Sequence, residues 1–512
     1  MGETTAPAPG ALWRMVHIAV IAAILLVGFR LLIPAQFIDP FVRHDDYLAL
    51  NPEPGLYYWK TLAKGRWITW LWTLRSAPTD PVVVWWLYLG IWCTGAAAIA
   101  VGVFRADRWP FRALLAAAAI ALMPQAADIS TWFAATAPAS AGVTLMALLA
   151  CLGPVRAVYT GLFVLVPATL MAHSSYPLLV LLAAALAADW RGDRHAWIRL
   201  PAAFLAALML SIAMIIGLNG LVHDRFGIDA GSWMEENPVQ GVGDLLVNLE
   251  FALGWLLKTL ALMSNGQAAI GVMLLILAAV ALTLAGVRSP RRALPVLSSA
   301  ILAMAIGAAP AVLDGVDTPS RATGFLWLAI IGAFALAIAT VRRPARRMIF
   351  IAGLVVPSLG ATIFWHKLYE DLLAPYQHIS RAIAEQVVAQ SQGPPSTVVL
   401  WGQVHGLPST EALQFSHGLI FRLQRLTGAR TVVCAVQSND TLKFVETDQN
   451  IETAPQYGAW IRARRITEGI CDRWARPVWQ LPVYPAKGWI GPLAPGVVGI
   501  RLPSVNMADV PP

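Results

Sequence analysis

The chain has 512 residues, 57% of them hydrophobic and 13% charged, with a formal net charge of +8. Soluble domains carry about 25% charged residues, so roughly half the usual charge is missing. Composition excludes a disordered chain, a collagen-like repeat and a disulfide scaffold. The apolar runs are continuous and do not alternate, which argues against an outer-membrane barrel. The 21 tryptophans fit a protein with membrane interfaces to anchor.

Apolar runs bounded by charge or turn residues predict an α-helical polytopic membrane protein of about eleven transmembrane helices, starting near residues 15, 82, 112, 137, 157, 176, 201, 267, 296, 324 and 348. The first, Met15 to about Leu32, has one arginine before it and no evident small-residue cleavage site, so it reads as an uncleaved signal anchor. Alternate loops separate by charge. One set, with Arg14, holds fifteen arginines, including Arg105, Arg156, Arg191, Arg288, Arg291, Arg292, Arg342 and Arg347. The opposite loops after the first hold three basic residues, Arg225, Lys258 and Arg321. The positive-inside rule therefore expects a cytoplasmic N-terminus, in a bacterial inner membrane, and an odd span count puts the C-terminus in the periplasm. Because the positive charge belongs to these loops, it gives no reason to expect nucleic acid as a partner.

Residues 157–190 read as two short helices broken between Ala172 and Pro177, which preserves the charge alternation, and the same logic supports a break between Pro124 and Pro138. The apolar half of residues 223–265, with Glu250 and Lys258, reads as a helix lying in the interface. Its polar half, with His223, Asp224, Glu235 and Glu236, either lids a site or covers the bundle. Composition changes near Glu370, so residues 1–368 are taken as the transmembrane domain and 369–512 as an extracytoplasmic α/β domain. There, strands are expected at 396–402 and 431–436 around a helix from Thr410 to Leu426. Cys434 and Cys471 are a candidate disulfide pair in that compartment, two separate thiols being the alternative.

The first outside loop, about 45 residues long, concentrates the chemistry. It opens with His44-Asp45-Asp46-Tyr47 and continues to Lys60, Lys64 and Arg66. Two carboxylates beside a membrane, where the dielectric is low, can hold raised pKa values and act as bases towards a hydroxyl. The plain alternative is a pair of aspartates solvating a loop start. Lys60 and Lys64, four apart, share a helix face, and Trp59, Trp67, Trp70 and Trp72 would hold it at the headgroup level. Such a face suits a phosphate, or simply meets anionic lipid headgroups. Asp128, beside Trp132, is placed to bind sugar hydroxyls, and His173 is a donor or base or a structural histidine. Arg30, inside the first span, snorkels to the headgroups, pairs with Asp128 or approaches a lipid. No His, Cys or acidic spacing specifies a metal, so no cofactor is expected, although an Asp-Asp pair is compatible with Mg²⁺.

His44-Asp45-Asp46-Tyr47 after a signal-anchor span, followed by Gly65-Arg66-Trp67, resembles bacterial GtrII-type glucosyltransferases, within the polytopic glycosyltransferases of GT-C fold. The resemblance extends more weakly to His173–Pro177, where Pro177 stands in place of a family Gln after Tyr176, and to the helix from Tyr369. It implies transfer of a sugar from a polyprenyl-phosphate carrier to a glycan or lipopolysaccharide acceptor, as in O-antigen modification. One of Asp45 and Asp46 would be the base and the configuration would invert. His44, Tyr47, Asp128, His173 and Tyr176 would lie against substrate, and Lys60, Lys64, Arg66 and Arg321 would be candidates for the phosphate. Arg321 pairing with Asp314 or Asp317 is the alternative for that residue. Two rival readings are a polymerase or ligase using lipid diphosphate-linked glycans, and a transporter. The first expects a basic later loop, which here is acidic. The second expects charges strung through mid-span, of which there are almost none, and no internal repeat is visible.

Overall fold

The computed structural model describes residues 10–51, 57–75, 79–105, 110–228, 238–316, 318–390, 394–401, 409–434, 458–484 and 486–502. Among the described residues ten helical segments are long and apolar enough to cross a membrane, so this is a multi-pass membrane protein. They include α1 (Ala11–Leu32), α5 (Pro81–Val103), the run Pro124–Leu152 formed by α7 (Pro124–Ile129) and α8 (Phe133–Leu152), α9 (Val155–Ala172) and α11 (Ala196–His223). After these come α12 (Val242–Met263), α13 (Ala268–Arg288), α14 (Pro290–Leu313), α15 (Gly324–Thr340) and α16 (Pro344–His366). Two of the eleven expected spans are shorter apolar helices, α6 (Phe111–Ala121) and α10 (Tyr176–Ala187). At 1.5 Å per residue neither spans a bilayer by its own length. The first outside loop folds into α2 (His44–Leu50), α3 (Trp59–Lys64) and α4 (Trp67–Thr73).

Prolines at the first turn start several helices: Pro81, whose N-cap Asp80 accepts from Val82 N at 2.7 Å, and Pro290 and Pro344. Small residues let the core helices touch backbone to backbone. A Cβ on Gly95 would sit 2.6 Å from Thr144 Oγ1, and one on Gly102 would sit 2.5 Å from the Ala187 carbonyl oxygen.

The bundle has two distinct ends. At one, Arg14 donates to the Cys151 carbonyl, Arg105 to that of Ala187, Arg292 to that of Val103 at 2.6 Å and Arg291 to that of Arg191 at 3.1 Å. The arginine-rich loops thus converge there. At the other end lie α2–α4, the C-terminus of α11 and the start of α10. Arg30 reaches this end, donating to the Pro34 carbonyl at 3.5 Å with its guanidinium 5.8 Å from the Phe37 ring. The hairpin turn at Ser289 sets Ala268 and Leu313 at this same end. Val239 N donates to the Leu313 carbonyl at 3.0 Å, and a Cβ on Gly271 would meet the Leu260 carbonyl oxygen at 2.4 Å. Both ends of α12 are therefore tied to one end of the bundle, and α12 runs across it. Its buried stripe is Asn248, Ala252, Trp255 and Thr259, while Leu246, Val247 and Leu253 are exposed.

The helix from Pro344 continues through a wider turn at Lys367–Leu373 into α17 (Ala374–Gln390), so residues 368 and 369 lie inside an unbroken helical run. Beyond it β1 (Thr397–Trp401), α18 (Ser409–Thr427), β2 (Arg430–Val433), α19 (Gly458–Trp479), β3 (Ile490–Ala494) and β4 (Val497–Arg501) build a four-stranded sheet of order β2-β1-β4-β3. β1 pairs parallel with β2 and β4, and β3 antiparallel with β4. Strand alternation gives β1 two apolar faces. Val398 and Leu400 pack with Ile383 and Leu423, and Val399 and Trp401 pack with Val478. Cys434 and Cys471 are joined, with their Cα atoms 5.3 Å apart, tying the end of β2 to α19. The expected strands and helix of this region are present within a few residues.

This domain docks on the end of the bundle that carries the first loop. Asp39 pairs with Arg381 and with Arg422 at 2.6 Å, Asp80 pairs with Arg425 at 3.2 Å, and Tyr47 Oη donates to Gln424 Oε1 at 2.8 Å.

Candidate functional site

The two adjacent aspartates open α2, where successive residues point about 100° apart, and their carboxylates go to different places. Asp46 is 0% exposed. Its Oδ1 accepts from Ala135 N at 2.9 Å and its Oδ2 has no hydrogen-bond partner among the described residues. Ala135 is in the first turn of α8, whose own N-cap, Trp132, offers no side-chain bond. Asp46 thus satisfies an orphan helix N–H from another segment. Burial pushes its carboxyl well above the usual range, the Ala135 amide opposing.

Asp45 is 15% exposed and accepts from Lys60 Nζ at Oδ1 and from Arg66 Nη1 at Oδ2, the latter at 3.1 Å. Lys60, 2% exposed, also lies 4.8 Å from the Tyr57 ring centroid. Gly65, between Lys64 and Arg66, has φ +62°, a left-handed turn that lets α3 end and α4 begin within two residues. That turn brings both lysines of α3 and Arg66 towards one place. It is held by α11: Trp67 Nε1 donates to Asn219 Oδ1 at 3.0 Å, and His223 Nε2 lies 2.6 Å from Thr61 Oγ1.

Around Asp45 the remaining cations gather. Lys64 is within electrostatic reach of Arg66, Lys60, Asp45 and Arg321; burial, with Arg66 and Lys60 adding repulsion, brings its ammonium down to about 7. His173 faces Arg66, Arg321, Lys64 and Asp45, and its Nδ1 lies 3.0 Å from Ser175 Oγ. Burial, and then those cations, hold its imidazole well below the usual range, so it is neutral at physiological pH. Arg321 stands 4.7 Å from the Trp132 ring centroid and Arg43 4.1 Å from the same ring, with Arg43 Nη1 donating to Thr131 Oγ1 at 2.7 Å. Asp128 lies within electrostatic reach of both guanidinium groups. Among the described residues Arg321 makes no ion pair, and Asp314 is exposed to solvent; Asp317 lies outside the described residues.

Most of the residues singled out in the sequence therefore come together: Asp45, Lys60, Lys64, Arg66, His173 and Arg321, with Asp128 beside Arg321. Tyr47 is turned to Gln424 of α18 and packs edge-on against Phe421 with centroids 6.5 Å apart. The side chain of His44 lies outside the described residues, as do Glu235 and Glu236. Tyr176 is buried, its hydroxyl accepting from Ser140 Oγ at 3.2 Å. It lines a small cavity together with Tyr88, Trp92, Gln125, Ser175 and Arg321. Among the described residues no group of three or more His, Cys, Asp or Glu side chains could hold a metal ion.

Sequence reading gave no role to Arg43, Gln125, Asn219 or Thr61. Arg43 directly precedes His44 and is the one of these with a local signal. The other three act through partners more than 150 residues away, such as Thr61 with His223 and Gln125 with Thr323. No family model matches the chain, and no curated protein matches it.

Proposed function

We propose that this protein is a membrane glycosyltransferase that moves a sugar from a polyprenyl-phosphate carrier to a glycan or lipid acceptor, with Asp45 as the base. The observation that carries the reading is one partly exposed carboxylate set among Lys60, Lys64, Arg66 and Arg321 at one end of an apolar bundle. A surplus of fixed cations around a single base suits a phosphodiester whose negative charge grows as the sugar leaves, and preorganised charge is generally the larger catalytic contribution.

In this reading Asp45 takes the proton of the acceptor hydroxyl as its oxygen bonds to the anomeric carbon. The bond from that carbon to the phosphate oxygen breaks, its electron pair stays on the phosphate, and the configuration inverts. Lys60 and Arg66 are then shared between Asp45 and the departing polyprenyl phosphate, while Arg321 faces that phosphate from the other side of His173. Neutral His173 orients a hydroxyl without adding charge. Asp46 supports α2 and α8 and takes no proton from substrate. The convergence of the arginine-rich loops at the opposite end supports a cytoplasmic location for that end. The Cys434–Cys471 bond supports an oxidising compartment for the domain beside the site. Of the residues that resemble GtrII-type glucosyltransferases, His44-Asp45-Asp46-Tyr47 and Gly65-Arg66-Trp67, Asp45 and Arg66 belong to this cluster, whereas Asp46 bonds to Ala135, Tyr47 to Gln424 and Trp67 to Asn219.

The test is sugar transfer by purified protein in nanodiscs, with a panel of polyprenyl-phosphate sugars. Wild type should release polyprenyl phosphate, Asp45→Asn should lose about 10²–10⁴-fold in rate, and Asp46→Asn should retain most of it. Equal turnover by Asp45→Asn and wild type would remove Asp45 as the base.

A further inference from the structure

The helix that carries Asp45 is short, and both it and the chain leading into it lean on the C-terminal domain. α2 spans seven residues, His44–Leu50, too few to hold a helix in water without outside contacts. Its first turn is anchored in the bundle by the bond from Ala135 N to Asp46 Oδ1 at 2.9 Å. Its last turn is anchored in α18. Tyr47 Oη and the C-cap residue's Asn51 Nδ2 donate to the same oxygen, Gln424 Oε1, at 2.8 and 3.3 Å. Phe421, three residues before Gln424, packs edge-on against the Tyr47 ring.

The same surface grips the approach to α2. Asp39 pairs with Arg381 of α17 and Arg422 of α18, Arg422 Nη2 donates to Gln377 Oε1 at 2.5 Å, and Gln377 Nε2 donates to the Asp39 carbonyl at 3.2 Å. A Cβ on Gly418 would lie 3.1 Å from the Val42 carbonyl oxygen, so α18 passes this stretch backbone to backbone.

The cations that face Asp45 are carried by other segments: Lys60 and Lys64 by α3, Arg66 by the turn after it, and Arg321 by the turn before α15. The carboxylate and its cations thus sit on separately supported pieces, and their register depends on what holds α2. Residues 45 and 47 point about 200° apart around one helix, so a roll of α2 that frees Tyr47 swings Asp45 away from Lys60 and Arg66 by the same angle.

We infer that Gln424 is a positioning residue: by holding the last turn of α2 from the C-terminal domain, it fixes the aim of Asp45 at the cation cluster. This rests on Asp45 as the base proposed above, and it gives the C-terminal domain a part in the reaction exerted through α2.

The experiment follows variants in nanodiscs by hydrogen exchange of the α2 amides, by binding of polyprenyl phosphate and by sugar transfer. Gln424→Leu removes the shared acceptor. It should speed α2 exchange at least about 10-fold and slow transfer about 10- to 100-fold, with the affinity for polyprenyl phosphate unchanged. Gln424→Glu keeps an oxygen for both donors and should restore exchange and turnover. Arg425→Gln removes the neighbouring contact of α18 with Asp80, away from α2, and should behave as wild type in all three measurements. Tyr47→Phe combined with Asn51→Ala removes the donors from the α2 side; it should match Gln424→Leu and stands in if that variant fails to fold. The inference is overturned if the α2 amides of folded Gln424→Leu exchange as in wild type, or if phosphate binding falls along with turnover. It is equally overturned if Gln424→Glu is as impaired as Gln424→Leu, or if Arg425→Gln has the same effect. Failure of the donor reading looks different: wild type then transfers no sugar, and α2 exchange in the same variants decides whether Gln424 holds the helix.

Discussion

Asp45 and Asp46 are adjacent and chemically identical, yet replacing each by asparagine should have unequal consequences for stability. In Asp45→Asn, Lys60 and Arg66 lose the carboxylate that balances them; Lys60 is buried, at 2% exposure, and Arg66 is half-buried. Breaking one side of a buried ion pair costs about 3–5 kcal/mol; the partial exposure of Asp45 and the residual acceptor on asparagine place the expected loss near 3 kcal/mol. Burial already lowers the Lys60 pKa, with Asp45 the chief opposing influence, so the variant can relieve itself by shedding the lysine proton, and its deficit should shrink as pH rises. In Asp46→Asn the amide oxygen still accepts from Ala135 N, and the carboxyl it replaces is already pushed towards its neutral form by burial. The expected loss is below about 1 kcal/mol. Denaturant midpoints of the detergent-solubilised protein, followed by tryptophan fluorescence, measure both. Lys60→Met added to Asp45→Asn should recover at least half of the loss, because it removes the stranded charge. A loss in Asp46→Asn that equals or exceeds that in Asp45→Asn would refute this division of roles.

Three further outcomes are expected. Lys64, brought down to about 7, is a cation below that pH and neutral above it. Affinity for a polyprenyl-phosphate sugar, whose phosphodiester keeps one charge across the neutral range, should therefore fall as pH rises through 7, and Lys64→Arg should flatten the profile. Superimposable wild-type and Lys64→Arg profiles would remove Lys64 from the phosphate site. Gly65→Ala should cost at least about 1–2 kcal/mol for the left-handed backbone, since φ is +62° and the new Cβ would also meet Ile215 Cγ2 at 2.7 Å; an unchanged denaturant midpoint would show that the turn is not needed. Cys434→Ser closes no loop across the 37-residue separation and should destabilise the C-terminal domain by about 3–4 kcal/mol. This would be read as faster proteolysis after α17 with the bundle left intact, and equal protease resistance would count against it.

The helices were legible because lipid-facing segments must be apolar throughout and charge collects in the loops between them. The first loop was legible because a carboxylate pair and three cations are unusual on the poorly charged side. What the sequence did not carry was the division between Asp45 and Asp46, which depends on where the first turn of α8 lies. The use of Tyr47 was equally hidden, since Gln424 is 377 residues away. The short helices α6 and α10 read as spans because their runs are apolar throughout, although at 11 and 12 residues each is shorter than a bilayer-crossing helix. Tyr176 through Ala187 is buried along its whole length by other helices. Gln125 had no signal, since its partner Thr323 is 198 residues away.

The helix α12 bears on how the chain is threaded during synthesis. At 22 residues it is as long and apolar as true crossings, and a machinery that sorts segments by hydrophobicity has every reason to insert it. Insertion would make the number of crossings even and reverse every helix after it. The Arg288–Arg292 turn would leave its partners Arg191 and Val103, and the C-terminal domain would emerge on the starting side, away from α2. With the arginine-rich end in the cytoplasm, as proposed above, arginines in the 288–292 turn, and again at 342–347, oppose that outcome, because each would have to be translocated. Their positions make the misthreaded chain the costlier one, so basic residues that look like generic flanking charge also guard the parity of the whole polypeptide.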